Sequence, residues 1–138
     1  MSKIQEFLKN QEKSVMSTVE GKTIIDYFNN NAEEVPEYPA LNTPINSEYT
    51  GWDSVSWSAY RETVHNLASG LIDIGLQAGD NAFIVANNVK EHFICDLGIM
   101  HAGAVPSTIY KQLKSGQIEY ISNLLEAKVA FVGDAELF

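Results

Sequence analysis

The run Ala82-Phe83-Ile84-Val85-Ala86 is apolar at every position. A strand with one wet face alternates apolar and polar residues, so an unbroken apolar run must be covered on both faces, as inner strands of parallel sheets are. The downstream residues fit that demand. Asn88 with Glu91 three residues later has capping-box spacing and predicts a helix to about His101, burying Phe93, Ile94, Leu97 and Met100. Gly103 ends it, and Ala104 to Tyr110 predicts a short strand with Pro106 near its start. Ser115 then caps a helix with Ile118, Ile121, Leu124 and Leu125 inward, and Val129 to Val132 is a third strand. Strand, helix, strand, helix, strand with short links predicts a βαβαβ unit of α/β class, its crossovers right-handed and its sheet parallel.

Upstream, Thr23 predicts a helix through about Asn31, with Ile24, Ile25, Tyr27 and Phe28 apolar and the run Asn29-Asn30-Asn31 as its end. Pro36, Pro39 and Pro44 keep the next segment extended, so Ala40 to Asn46 is expected at a sheet edge. Asn46 to Gly51 is a turn, and Asp53 to Trp57 alternates, with Val55 and Trp57 buried, as the second arm of a hairpin. Ser58 caps a helix with Tyr60, Val64, Leu67, Leu71 and Ile74 inward and Arg61, Glu62 and Asn66 in water, stopped at Gly75. The organisation expected is an N-terminal arm over residues 1–22 and a partial domain over 23–138, a hairpin and helix leading into the parallel unit. In the arm, Ile4, Phe7 and Leu8 share one face of a helix that also carries Lys3, Lys9 and Lys13, with Glu6 and Glu12 offsetting the charge. Its two readings are a loosely docked arm and a membrane-surface helix, so peripheral membrane association is retained as an expectation beside the arm.

Charge and cysteine usage narrow the partners. Eighteen acidic against nine basic residues leave −9 with no basic stripe, which argues against nucleic acid. The single cysteine, Cys95, has no internal disulfide partner, no basic-plus-apolar leader opens the chain, and no apolar run approaches the roughly 20 residues of a membrane-spanning helix. The expected setting is the cytoplasm, with no transmembrane segment.

No residue is assignable as catalytic, cofactor-binding or metal-ligating. Gly98 and Gly103 have Walker spacing, but Ala104 and Val105 stand where Lys and Ser/Thr are needed and a strand follows where one should precede. They read as a tight helix contact and a helix stop. The link Asn87-Asn88-Val89-Lys90 lacks the glycines of a dinucleotide fold, which weakens a nucleotide-binding reading of flavodoxin type; its free amides and Lys90 offer an anion site against simple capping by Asn88. His92, Cys95 and Asp96 lie within one turn on a core helix, too few for a closed metal site, and His92 and His101 fall on opposite faces. No serine sits in a nucleophile elbow, Cys95 is placed where a thiolate is disfavoured, and Asp26, Glu62, Asp73 and Glu119 fall on solvent faces.

Taken in order, the motifs resemble a known family. Ser56-Trp57-Ser58-Ala59-Tyr60-Arg61-Glu62 resembles the first core motif of adenylate-forming enzymes, and Leu67-Ala68-Ser69-Gly70-Leu71, Gly75, Gly79-Asp80 and Asn87 to Glu91 come next in family order. His101-Ala102-Gly103-Ala104-Val105-Pro106 to Tyr110 resembles the second core motif, and the likeness continues through Gln117 to Ile121 and Ala127 to Val132. Within the superfamily the chain is most similar to long-chain fatty acid CoA ligases. It departs at Asn81, where Arg is frequent, at Gly116, where an acid is usual, and at Lys111-Gln112-Leu113-Lys114, which lacks the usual small polar residues.

The resemblance implies the opening part of the N-terminal domain of an AMP-forming acyl-CoA synthetase. It further implies a reaction in which ATP and a fatty acid give an acyl-adenylate and pyrophosphate, after which CoA displaces AMP, with Mg²⁺ as the metal. The phosphate loop, nucleotide contacts and catalytic lysine of such enzymes lie downstream of the matched region, so this chain is expected to carry none of them and to be inactive alone. A helix starting at Asp134, four residues before the last residue Phe138, and open sheet edges lead to the expectation that the remainder of a synthetase chain covers the sheet. The alternative is a free-standing α/β binding or interaction module without catalysis.

Overall fold

The computed structural model describes residues 2–133. Its elements run α1 (Lys3–Val19), α2 (Ile24–Glu34), β1 (Pro39–Pro44), β2 (Trp52–Ser56), α3 (Trp57–Asp73), β3 (Asn81–Val85), α4 (Lys90–His101), β4 (Val105–Thr108), α5 (Ser115–Leu125) and β5 (Val129–Val132). β1 and β2 form an antiparallel hairpin, and the other strands form a parallel sheet in the order β4-β3-β5. The all-apolar strand is therefore central, as its composition demands, and Ala82 to Val85 are all buried.

Each face of that sheet has its own helical cover. On one, Ala82 and Ile84 join Ala68 and Leu71 of α3 and Ile99 of α4; on the other, Phe83 and Val85 join Ile109 and Ile118 of α5. A third cluster ties the hairpin to the helices: Phe28 meets Trp57 and Tyr60 edge-on at 5.9 and 5.0 Å between ring centroids, with Val64 beneath. α3 and α4 pack closely because Gly98 has no side chain, a Cβ there lying 2.6 Å from Leu67 Cδ2.

Both helix stops expected at glycine share one geometry. Gly75 and Gly103 take φ of +97° and +79°. The next residue's N–H reaches back five positions, Leu76 to Leu71 O at 3.0 Å and Ala104 to Ile99 O at 3.1 Å. This is the Schellman closure, in which an apolar residue after the glycine packs back on the helix. Leu76 is buried accordingly, whereas Ile74, expected inward, is 71% exposed at the helix cap.

The helix starts differ from expectation. Ser56, not Ser58, caps α3: the last residue of β2 is still extended, its Oγ accepts from Ala59 N at 3.3 Å, and Ser58 Oγ pairs with it at 3.0 Å. Trp57 is then the first helical residue rather than the end of a strand, though its ring still packs inward. Asn88 does not cap α4; the cap is Val89, with no side-chain bond. α5 begins at Ser115 with Lys114 as its cap, because Gln117 Oε1 reaches back to accept from Lys114 N at 3.0 Å.

Thr23 does cap α2, in a reciprocal box with Asp26, but the helix runs past Asn29-Asn30-Asn31 to Glu34 because Ala32 is drawn into the core at 1% exposure. Leu124 and Phe93, expected inward, are 70% and 48% exposed, since Ile118 and Ile121 already fill the α5 contact and Ile94 and Leu97 the α4 contact. At the departure Asn81, Nδ2 donates to Leu125 O at 2.7 Å and fixes the end of α5 against the sheet. The helix expected from Asp134 lies outside the described residues. α1 forms as a regular helix with a Ser2–Gln5 capping box and no buried residue.

Candidate crevice at the strand ends

In an open parallel sheet the links leaving the carboxyl ends diverge where strand order reverses, and ligands bind in the gap this leaves. Here β3 passes through α4 to β4 on one side, and β4 passes through α5 to β5 on the other, so the reversal falls between β3 and β5. A cavity of about 430 Å³ opens there, with Ile84, Ala86 and Phe131 in its apolar wall and Glu91, His92 and Cys95 as its polar groups. Gly133 makes the gap by letting the chain after β5 run beside β3: its N–H donates to Val85 O at 2.8 Å, and a Cβ would lie 2.9 Å from Ala86 Cβ. The sequence carried no signal for Gly133, because its closeness to Ala86 exists only once β5 has crossed β3.

His92 also borders a second hollow of about 310 Å³ at the ends of β3 and β4, lined by Asn87, Asn88, Thr108 and Lys111 among others. Its Nε2 lies 3.0 Å from Thr108 Oγ1, which holds the ring between the two hollows. Asp96, one turn on, faces away, into an aromatic hollow with Tyr27, Trp57, Tyr60 and Phe93. His92, Cys95 and Asp96 therefore do not converge, and among the described residues no group of three His, Cys, Asp or Glu side chains is placed to hold a metal ion. His101 lies elsewhere, its ring 5.1 Å from that of His65, with Nδ1 donating to Leu97 O at 2.8 Å.

Burial governs the titrating groups. It pushes the Cys95 thiol up, with the carboxylates of Glu91 and Asp96 adding to the effect, so the sulfur stays protonated and is no nucleophile at neutral pH. Burial likewise raises Asp96, against a smaller lowering by His92, and pushes Tyr60 up to about 12, with Asp96 contributing. At the start of α4, Lys90 Nζ lies 2.6 Å from Asp53 Oδ2, and that hydrogen bond and charge raise the ammonium's pKa. The cation beside the helix amides is thus spent on joining α4 to the hairpin. Among the described residues, the crevice is given an apolar wall and a few polar groups, without a paired nucleophile and base or a cationic cradle.

Residues 28–137 match the family described as AMP-binding enzyme. The chain is 29% identical over 129 residues to the long-chain-fatty-acid–CoA ligase heimdall of Drosophila melanogaster, covering 92% of this chain and 19% of the relative. It is 28% identical over 117 residues to the vibriobactin-specific 2,3-dihydroxybenzoate-AMP ligase of Vibrio cholerae, covering 83% and 20%. The chain thus spans about a fifth of the length of each. Its fold is that of the N-terminal subdomain of NpsA from Klebsiella oxytoca, with TM-score 0.70 at 20% identity over 81% of this chain and 28% of that one. The ordered motifs, the sheet with β3 at its centre and the match over most of the sequence agree: this chain belongs to the AMP-binding enzyme family.

Proposed function

We propose that these residues are the N-terminal portion of a long-chain fatty acid CoA ligase, in which ATP and a fatty acid form an acyl-adenylate that CoA converts to acyl-CoA. The observation that carries the reading is the family match over residues 28–137 within a chain spanning about a fifth of the Drosophila and Vibrio ligases it resembles. The fatty acid, rather than an aryl acid, is supported by the likeness to the Drosophila ligase and by the apolar wall of Ile84, Ala86 and Phe131.

The crevice does not fit Mg²⁺ or ATP. A triphosphate needs a cradle of amides and cations, and here Lys90 is committed to Asp53 while the crevice presents the Glu91 carboxylate. These residues therefore supply sheet and scaffold, with nucleotide, metal and CoA held by other parts of the full-length enzyme, which works in the cytoplasm. ATP–pyrophosphate exchange driven by a long-chain fatty acid tests this. We expect no exchange by the 138-residue chain. For the full-length enzyme we expect exchange with a long-chain fatty acid in preference to 2,3-dihydroxybenzoate. Exchange by the short chain, or the opposite preference, overturns the reading.

A further inference from the structure

A hollow of about 290 Å³ lies where α2, β1, α3 and α4 meet, and it shares no lining residue with the crevice between β3 and β5. That volume is at the small end of ligand pockets, which run to about 1,000 Å³, so its occupant is small. Tyr27 and Phe28 of α2, Trp57 and Tyr60 of α3 and Phe93 of α4 bring aromatic rings to the wall. The rings brace one another. Phe28 meets Trp57 and Tyr60 edge-on, and the Trp57 and Tyr60 rings lie 6.2 Å apart between centroids at 36°. A wall held in this way is formed before a ligand arrives, which spares the cost of ordering it on binding. Phe93, exposed on one side, stands at the rim.

Asp96 gives this aromatic wall its one formal charge. Burial raises the carboxyl group's pKa, against a smaller lowering by His92. Among the described residues the ion pairs are Arg61–Glu33 and Lys90–Asp53, which leaves Asp96 without a cation. A partly buried carboxylate with no counter-ion is a cost that a cation in the hollow would relieve. Aromatic faces carry negative potential and attract the same sign of charge. Carboxylate and rings therefore select for one class of ligand. Hydrogen bonding narrows it further. An ammonium or guanidinium group brings several N–H donors that each need an acceptor, and here the Tyr27 hydroxyl is already engaged, donating to Thr18 O at 2.6 Å, while Asn31 is exposed. A fully methylated ammonium carries the charge without that demand and offers methyl groups to the rings.

We propose that this hollow is a binding site for a small quaternary ammonium cation, with the rings of Tyr27, Trp57, Tyr60 and Phe93 against its methyl groups and the Asp96 carboxylate balancing its charge. The site is independent of which acid the full-length enzyme activates. With one charged contact and few polar ones, its dissociation constant is expected to be on the order of 1 mM.

Titration of the 138-residue chain with choline chloride, followed by NMR on the indole N–H signals and referenced to equal sodium chloride, is the test. Trp57 lines the hollow, whereas Trp52 lies on β2 outside it and serves as the internal control. We expect the Trp57 signal to move saturably and the Trp52 signal to stay. The neutral isostere 3,3-dimethylbutan-1-ol, which keeps the shape and lacks the charge, should bind at least about tenfold more weakly than choline. Asp96→Asn should weaken choline binding about tenfold and Phe93→Leu about threefold, each with unchanged far-UV circular dichroism. The comparison of choline with the alcohol uses the unaltered chain, so it decides the question even where a variant fails to fold. No saturable shift, an equal response of Trp52, undiminished binding by a folded Asp96→Asn, or equal binding of the alcohol would overturn the proposal, the last by making the hollow an apolar one without selectivity for charge.

Discussion

Gly98 sits where α3 and α4 cross, and an added Cβ would lie 2.6, 2.9 and 3.2 Å from Cδ2, Cγ and Cβ of Leu67. The end of a leucine can turn aside, but its Cβ is fixed by the backbone, so the helices must part. Overpacking of this kind costs about 1–3 kcal/mol, while Ala returns up to about 1 kcal/mol of helix propensity. Gly98→Ala is expected to destabilise by about 1–2 kcal/mol in urea denaturation, and Gly98→Ala with Leu67→Ala in the same chain to cost less than the sum of the two single losses. His65 is a second point of sensitivity. Burial, then the neighbouring His101 and Arg61, lowers its pKa, so the folded chain binds this proton less readily than the unfolded one. Stability is undiminished above about pH 6.5 and falls as the pH drops through that value toward the lowered pKa of the folded state. Denaturation midpoints from about pH 8 to about pH 5.5 should show this decline, made shallower by His65→Gln. The role of Gly98 as a close helix contact was readable from Gly, which has no other reason to stand in an apolar helix. That of His65 was not, because its neighbour His101 lies on another helix.

At the scale of elements, helix stops were read more accurately than starts. A stop at Gly75 or Gly103 is a local backbone event that glycine permits and other residues resist. A start depends on which of several nearby polar side chains is left extended, and the preceding strand or link decides that. Ser56 rather than Ser58 caps α3 because β2 pairs with β1 through Ser56. α4 opens without a side-chain cap, Lys90 being held by Asp53 of the hairpin. Ser56→Ala is therefore expected to cost about 1 kcal/mol, and Asn88→Ala to change stability by less than about 0.5 kcal/mol, both read from denaturant midpoints. Comparable losses from the two would contradict this assignment of caps.

For the molecule as a whole, the α/β class, the crossovers and the central place of Ala82 to Val85 were determined by the sequence alone. The reason is physical: a strand in which Ala82 to Val85 are apolar at every position has one habitat, between two covered faces. The family resemblance was likewise carried by the order of local motifs, which survive without knowledge of contacts. The crevice was not. It depends on β5 crossing to the far side of β3, on Gly133 passing beside Ala86, and on His92 turning toward Thr108 while Asp96 turns toward Trp57 and Tyr60. Neighbours in sequence were sent to different hollows, and residues more than forty positions apart, such as Asn81 and Leu125, were joined. Periodicity reports which face of an element is dry; only the tertiary structure decides which two dry faces, and which polar groups at their rim, come to share one space.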